Sequence, residues 1–134
     1  MAFWLIKSDP EEYSWDDLNR DKFTVWDGVR NYQARNYLKS MKAGELVLFY
    51  HSRISQAIVG IAEVIRTAFP DLNADEPDWY SIEIAPLRSL KKLISLEHIK
   101  ATDALSKLPL ILQPRLSVMP ISEDEFKLIL ELSN

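Results

Sequence analysis

Residues 25–38 read VWDGVRNYQARNYL, and this stretch places a strand, a turn and a helix in immediate succession. The opening Val-Trp pair is typical of a strand, and the Asp-Gly pair after it favours a turn. A helix is predicted over residues 31–41, since Ala34, Leu38 and Met41 share one face at i, i+4 and i+7. The stretch therefore predicts a strand, a tight turn and a helix with one apolar face in direct succession.

Trp26 closes the short strand just before the glycine turn and the start of the helix. At such a place an aromatic face and backbone N–H groups can contact a ligand together. We therefore predict a pocket in which Trp26 offers a stacking face while Arg30 and Asn31 orient the ligand. Trp79 lies where a loop enters a later strand, so it is either a second wall of this pocket or an anchor for the loop.

The rest of the chain alternates between apolar strands and short capped helices. Residues 45–51 and 57–66 are rich in branched and aromatic side chains and are predicted strands, with Gly60 marking a bulge or a close backbone approach. Ser14 and Ser122 each begin a capping box and hence a helix. Further strands are predicted over residues 3–7, 23–26, 79–87 and 116–121, short helices after Ser95 and Thr102, and a surface loop over residues 70–77.

The order of these elements indicates the class of fold. Helices occur at intervals rather than after each strand, which argues against a doubly wound parallel sheet. A length of 134 residues suits one domain with its own core. We therefore expect a single α+β domain over residues 1–134, built as a small mixed β-barrel with short flanking helices.

Composition excludes several classes of protein. The sequence is 47% hydrophobic but has no apolar run of the roughly 18 to 20 residues that a membrane-spanning helix needs. It contains no cysteine, so disulfides, a thiolate nucleophile and cysteine-type zinc sites are excluded. The first residues do not resemble a signal peptide, because they lack a basic start and a long apolar run. A cytoplasmic location is the resulting expectation.

The charges are unevenly distributed. A net charge of −4 argues against non-specific binding of nucleic acid, which depends on Lys and Arg neutralising phosphates. All charges between residues 30 and 42 are nevertheless positive. Arg35, Lys39 and Lys42 are predicted to share one helix face, either as ordinary solvated surface or as a phosphate-contact stripe beside the pocket.

No catalytic or metal-binding pattern is present. The two histidines are distant from each other, His51 has only an adjacent serine, and no G-x-S-x-G elbow occurs. Scattered carboxylates give none of the usual metal-ligand spacings. The chain has only three glycines and none of the glycine-rich motifs that bind phosphate. We predict no catalytic residue, no metal and no cofactor.

Four segments in this order carry a family resemblance: WLIKSDPEEYSWDDL, VWDGVRNYQARNYLKSMKAGELVLFYHS, AIVGIAEV and RLSVMPIS. They resemble the EVE domain family of the PUA-like superfamily, which is related to YTH domains. The resemblance implies a PUA-like mixed β pseudo-barrel. It also implies a non-enzymatic reader of a modified cytosine or adenine in DNA or RNA. Trp26 would stack on the base, and Asn31 with nearby backbone would read a base edge.

The resemblance also implies a set of pocket residues. Carried onto this sequence, they are Lys7, Ser8, Trp26, Val29, Arg30, Asn31, Tyr50, His51, Ser52, Leu116 and Ser117. Family members usually have a longer insertion where this chain has DLNADEPDW, so the pocket rim is expected to be shorter and more open.

Two other functions remain compatible with the residues alone. The same pocket could serve a small-molecule or nucleotide-binding regulator that makes no contact with a polymer. Alternatively, an enzyme could act on a modified base, with Asp27, Tyr50 or His51 as general acid or base.

Overall fold

The computed structural model describes all 134 residues of the chain. Its centre is one six-stranded mixed sheet in the order β2-β5-β4-β3-β1-β6. The strands are β1 (Phe3–Ser8), β2 (Thr24–Trp26), β3 (Leu46–His51), β4 (Ala57–Pro70), β5 (Tyr80–Ser95) and β6 (Val118–Ile121). Strands β1 and β3 pair in parallel, and every other pair is antiparallel.

The sheet has two open edges, formed by β2 and β6, and no hydrogen bonds join them into a closed barrel. Five helices flank it. They are α1 (Trp15–Asp21), α2 (Tyr32–Ser40), α3 (Leu96–Lys100), α4 (Pro109–Leu112) and α5 (Glu123–Leu132), and a 3-10 turn covers Asp103–Leu105. The predicted α+β class with a mixed pseudo-barrel is confirmed. None of these helices is long and apolar enough to cross a membrane.

The local sequence signals explain the helix boundaries. Both predicted capping boxes form, with Ser14 opening α1 and Ser122 opening α5. Helix α2 buries Ala34 and Leu38, which is the apolar face that the spacing predicted. Helix α4 was not predicted; it is a single turn with proline at its first position, and no side chain caps it.

The structure shows both a bulge and a close approach to the backbone at Gly60, the two features expected there. The pairing of β4 with β5 shifts register between Ile58 and Gly60. A Cβ atom on Gly60 would overlap the indole ring of Trp15, which packs across the strand at this point. Trp15 in turn donates its indole N–H to Ser89 Oγ at 2.8 Å. Glycine is therefore required here for the close approach of α1 to the sheet.

Several predicted boundaries were wrong. Strand β4 continues to Pro70 and β5 continues to Ser95, because the two form a long hairpin with repeated register shifts rather than two short strands. Ser95 caps α3 as expected, whereas Thr102 begins only the 3-10 turn and makes no capping bond with its side chain. The loop predicted over residues 70–77 does follow β4, but Pro70 belongs to the strand and Asp71, the next residue, is buried.

Candidate functional site

A cleft of about 550 Å³ opens at the seam between the two edges of the sheet. One side is β2, and the other is the end of β1 with the residue before β6. Its volume lies within the range of small-molecule binding sites. The lining residues are Lys7, Ser8, Asp9, Glu12, Tyr13, Thr24, Val25, Trp26, Asp27, Gly28, Val29, Arg30, Asn31 and Ser117.

Trp26 forms the aromatic wall of the cleft. Its half-buried ring meets Phe49 at a centroid distance of 5.7 Å and an interplanar angle of 78°, and Tyr13 at 6.2 Å and 74°. Phe49 is fully buried and contacts Trp15 at 5.3 Å. Edge-to-face contacts of this kind fix the orientation of a ring. Trp26 is therefore held rigidly by the core while its side chain also lines the cleft.

Asp71 organises the turn that follows Trp26. Its carboxylate side chain is fully buried, and Oδ2 accepts from the Gly28 N–H at 3.0 Å and from Arg30 Nη1 at 2.9 Å. Oδ1 accepts from the Asn73 N–H at 2.8 Å. Burial raises the pKa of Asp71, but these hydrogen bonds outweigh it and hold the pKa below its usual value. Gly28 has φ 77°, which suits glycine in the turn.

Arg30 lies at the cleft but is not a free ligand-orienting group. Its Nη1 donates hydrogen bonds to the Asp71 carboxylate and, at 3.0 Å, to the Val29 carbonyl. These contacts fix the turn. If Arg30 orients a ligand as predicted, it does so with a guanidinium that already forms an ion pair with Asp71.

Asn31 has a divided role. Its Oδ1 accepts from the Ala34 N–H at 2.9 Å and so caps α2. Its Nδ2 donates to no protein group, so it retains two N–H donors for a ligand. Asn31 lines both the main cleft and a neighbouring one of about 370 Å³. The structure thus leaves both Nδ2 donors of Asn31 free for a base edge, whereas its Oδ1 already accepts one hydrogen bond from the helix.

Four other predicted residues line the cleft: Lys7, Ser8, Val29 and Ser117. Lys7 donates from Nζ to the Pro114 carbonyl at 2.7 Å and from its backbone N–H to the Ser117 carbonyl at 2.9 Å. Burial lowers the pKa of the Lys7 amine. Ser8 donates from Oγ to the Tyr13 carbonyl. These contacts hold the loops on both sides of β1 in place.

Four residues from the predicted pocket do not line this cleft. Tyr50 is 2% exposed because β3 lies inside the sheet between β4 and β1. Leu116 is buried and faces the neighbouring cleft. Ser52 lies beyond the end of β3, where its backbone N–H donates to the Ser8 carbonyl at 2.9 Å. His51 accepts at Nε2 from the Trp15 N–H at 2.9 Å, so it supports α1.

Trp79 is not a second wall of the cleft either. Its ring stacks on Tyr32 at a centroid distance of 5.2 Å and an interplanar angle of 21°. The guanidinium of Arg30 lies 5.6 Å from the Trp79 ring centre. Trp79 therefore lies behind Arg30, which agrees with the alternative that it anchors its loop.

The predicted phosphate stripe is also divided. Arg35 forms an ion pair with Asp78 at 2.9 Å, and its side chain is only 16% exposed. Lys39 is exposed, with Nζ 4.9 Å from the Tyr80 ring centre. Lys42 lies beyond the end of α2 at Ser40, so it does not belong to the helix face. Lys39 and Lys42 remain open to solvent, whereas Arg35 is largely occupied.

Asp9, Glu12, Tyr13 and Thr24 also line the cleft, although the sequence did not single them out as ligand contacts. Asp9 is paired with Arg53 at 3.0 Å. The acidic clustering near the start of the chain was the available signal, but its position relative to the pocket required the fold. The cleft is therefore more acidic than expected.

His51 gives a prediction about pH. Burial lowers the pKa of His51 from about 6.5, and the nearby Asp16 carboxylate offsets only part of this effect. The unfolded chain then binds this proton more readily than the native protein. The stability contribution is present above about pH 6.5 and is lost as the pH falls from there towards the lowered native pKa. Urea unfolding at about pH 7.5 and 5.5 should show a smaller loss for His51→Gln than for the parent.

The chain supplies a matched control in His98, the other histidine, which is exposed on α3. His98→Gln should lose stability on acidification as the parent does. If the parent, His51→Gln and His98→Gln all lose the same free energy of unfolding between the two pH values, His51 does not titrate in this way.

The fold and the cleft together define an α+β domain built on one open mixed sheet, with an aromatic-walled cleft at its seam. The chain belongs to the EVE domain family, whose model matches residues 2–132. It is 35% identical over 164 residues to thymocyte nuclear protein 1 of Mus musculus, covering 97% of this chain and 73% of the mouse protein. That alignment exceeds the 134 residues of the chain, so the mouse protein has residues that this chain lacks.

Several solved structures have the same fold as this chain. A protein from Agrobacterium tumefaciens superposes with a TM-score of 0.97 at 35% identity, covering 100% of this chain and 94% of that one. Human THYN1, crystallised in complex with DNA containing 5-methylcytosine, superposes with a TM-score of 0.91 at 32% identity, covering 100% and 98%. The YTH domain of a Zygosaccharomyces rouxii protein shares the fold, with a TM-score of 0.61 at 16% identity.

Proposed function

We propose that this chain is a non-enzymatic module that binds DNA or RNA carrying a modified base and takes that base into the cleft at Trp26. The observation that carries the proposal is the rigid Trp26 ring at the wall of a cleft of about 550 Å³, in a chain of the EVE family. The human relative with the same fold binds DNA that contains 5-methylcytosine. A modified cytosine or a modified adenine is the chemical class that we assign.

The cleft offers two modes of recognition for an extruded base. The flat face of Trp26 can stack on it, which is worth about 1 to 3 kcal/mol per base. The free Nδ2 of Asn31 can donate to a ring nitrogen or carbonyl on the base edge. A base held this way must leave its stack, which single-stranded nucleic acid permits at lower cost than a duplex.

The non-enzymatic part of the proposal is supported by the positions of the candidate acid and base groups. Tyr50 is enclosed in the core, and burial raises its pKa. His51 accepts a backbone hydrogen bond and lies outside the cleft lining. Of these three candidates only Asp27 lines the cleft, and its Oδ2 accepts from Asn73 Nδ2 at 2.7 Å. Turnover of a modified nucleoside by the purified protein would overturn this part.

A small-molecule regulator is the second candidate function, and the charge of the cleft favours it. Asp9, Glu12 and Asp27 line the cleft together with the cations Lys7 and Arg30. Carboxylates repel the phosphates of a polymer but not an uncharged nucleoside. Binding of the free nucleoside that is no weaker than binding of the oligonucleotide would favour this function over the first.

The deciding experiment compares two single-stranded oligonucleotides that differ only in one methylated base, together with the corresponding free nucleosides. The proposal predicts tighter binding of the methylated strand, and affinity that declines with added salt because phosphates are contacted. Equal affinity for the methylated and unmethylated strands would overturn it.

Lys39 and Lys42 give a prediction about the polymer path. The double variant Lys39→Gln/Lys42→Gln should weaken oligonucleotide binding and reduce the logarithmic salt slope by about 1 to 1.5, the share of two phosphates on a single strand. Affinity for the free modified nucleoside should not change. Fluorescence titrations at several salt concentrations measure both quantities.

Lys91 and Lys92 serve as the control pair. They are exposed on β5, and Lys91 lines a separate cleft beside α5. Lys91→Gln/Lys92→Gln should leave the salt slope as in the parent. If both pairs behave alike, the strand does not run along α2, and Arg115 at the neighbouring cleft becomes the next position to change.

A further inference from the structure

Tyr32 is an exposed aromatic residue that the proposed base cleft does not use. It is the first residue of α2 and is 67% exposed. One face of its ring stacks on Trp79 at a centroid distance of 5.2 Å and an interplanar angle of 21°. The Tyr32 ring is therefore ordered by a second aromatic ring although it projects from the surface.

The guanidinium of Arg35 makes cation–π contacts with both rings of this stack. Its guanidinium carbon lies 5.0 Å from the Tyr32 ring centre and 5.8 Å from that of Trp79. The two rings are themselves 5.2 Å apart, so a guanidinium this close to both centres lies on the side of Tyr32 that faces Trp79. Arg35 therefore does not occupy the face of Tyr32 that points away from Trp79.

The position of Arg35 is itself fixed. Its Nη1 donates to Asp78 Oδ2 at 2.9 Å and to the Asp78 carbonyl at 3.3 Å. Tyr32, Trp79 and Arg35 thus form one preorganised unit, which we call the Tyr32 platform. A rigid exposed ring loses little conformational entropy when a flat ligand stacks on it.

The Tyr32 platform adjoins the cleft. Asn31 precedes Tyr32 in the chain and lines the cleft. Arg30 also lines the cleft, and its guanidinium lies 5.6 Å from the Trp79 ring centre. Arg30 and Trp79 therefore connect the cleft to Tyr32. We call the face of the Tyr32 ring that points away from Trp79 its outer face.

We propose that the outer face of Tyr32 is a second nucleobase subsite, which stacks the base of a nucleotide next to the modified one. This inference rests on the proposed function, since it needs a modified base in the Trp26 cleft. Proteins that bind single strands use exposed aromatic faces and flanking arginines in this way, with little preference for the base. The subsite gives the protein affinity for the strand, whereas the cleft gives it selectivity for the modification.

The test compares Tyr32→Ala with Tyr32→Phe, using the free methylated nucleoside and a short single strand that contains it. Tyr32→Ala should weaken binding of the strand at least about fivefold, the lower end of what one base stack is worth. It should leave the affinity for the nucleoside unchanged. Tyr32→Phe, which keeps the ring, should bind both ligands as the parent does.

A fluorescent base analogue gives a second, structural readout. With 2-aminopurine placed next to the methylated base, on one side or the other, its emission should be quenched on binding to the parent and to Tyr32→Phe but not to Tyr32→Ala. Strand binding by Tyr32→Ala that equals the parent, with the same quenching, overturns the subsite alone. Failure of the parent to prefer the methylated ligands overturns the proposed function and the subsite with it.

Discussion

Trp26→Ala is expected to weaken binding of a modified base strongly while the domain stays folded. The substitution removes the stacking face of the cleft, and one base stack is worth about 1 to 3 kcal/mol, which corresponds to roughly 5-fold to 150-fold in affinity. The effect should appear with the free methylated nucleoside and with the methylated strand alike. Calorimetric titration at a temperature well below the melting transition of the variant measures it.

Trp26→Phe is the matched control, because it keeps an aromatic face at the same wall. It should retain most of the affinity. Trp26 also packs on Phe49, so Trp26→Ala will lower the melting temperature somewhat. A folded Trp26→Ala protein with unchanged affinity for the methylated nucleoside would show that Trp26 only supports the core.

Asp71→Asn is expected to give the largest loss of stability among the variants at the site. The buried carboxylate holds three donors, from Gly28, Arg30 and Asn73. An amide in its place turns an NH₂ group towards some of these donors and leaves the Arg30 guanidinium without its anion. We expect a cost of about 2 to 3 kcal/mol in the free energy of unfolding, measured by urea denaturation.

Asp71→Asn should also weaken ligand binding, because the turn that follows Trp26 is no longer held. Asp78→Asn is the control: Asp78 also pairs with an arginine, but its side chain is 60% exposed. A pair of that kind is worth at most about 1 kcal/mol. Equal stability losses for the two variants would show that the buried carboxylate has no special role.

Local sequence signals predicted the elements around the site well. The serine caps at Ser14 and Ser122 and the apolar face of α2 depend on residues within a few positions of each other, and all of them are confirmed. The placement of Trp26 between a strand and a glycine turn is local for the same reason. Position within a short segment was therefore enough to place the aromatic ring at the cleft.

The pairings that shape the rim of the cleft could not be predicted from local patterns. Arg30 and Arg35 looked like free cations, but they pair with Asp71 and Asp78, which lie 41 and 43 residues away. Asp71 belongs to an acidic segment that is typical of a surface loop, and nothing in its neighbours marks it as the buried member. Only the docking of this loop on α2 reveals these contacts.

The burial of Tyr50 has a different cause. The pattern of β3 is apolar on both faces, which indicates a buried strand but not which cleft its end approaches. Its place between β4 and β1 follows from a parallel pairing with β1. Such a pairing depends on the whole topology, so the resemblance could group Tyr50 with the pocket without showing that its side chain is enclosed.

The central claim is that a modified base enters the cleft at Trp26, and nuclear magnetic resonance can test it directly. A short single strand carrying one isotope-labelled methyl group, on cytosine or on adenine, is bound to the protein. For at least one of these strands we expect the methyl resonance to move upfield in the ring current of Trp26, with cross-relaxation to the Trp26 indole protons. The claim is contradicted if, for both strands, the methyl resonance keeps its free-strand frequency on binding and shows contacts only to Tyr32 or Lys39.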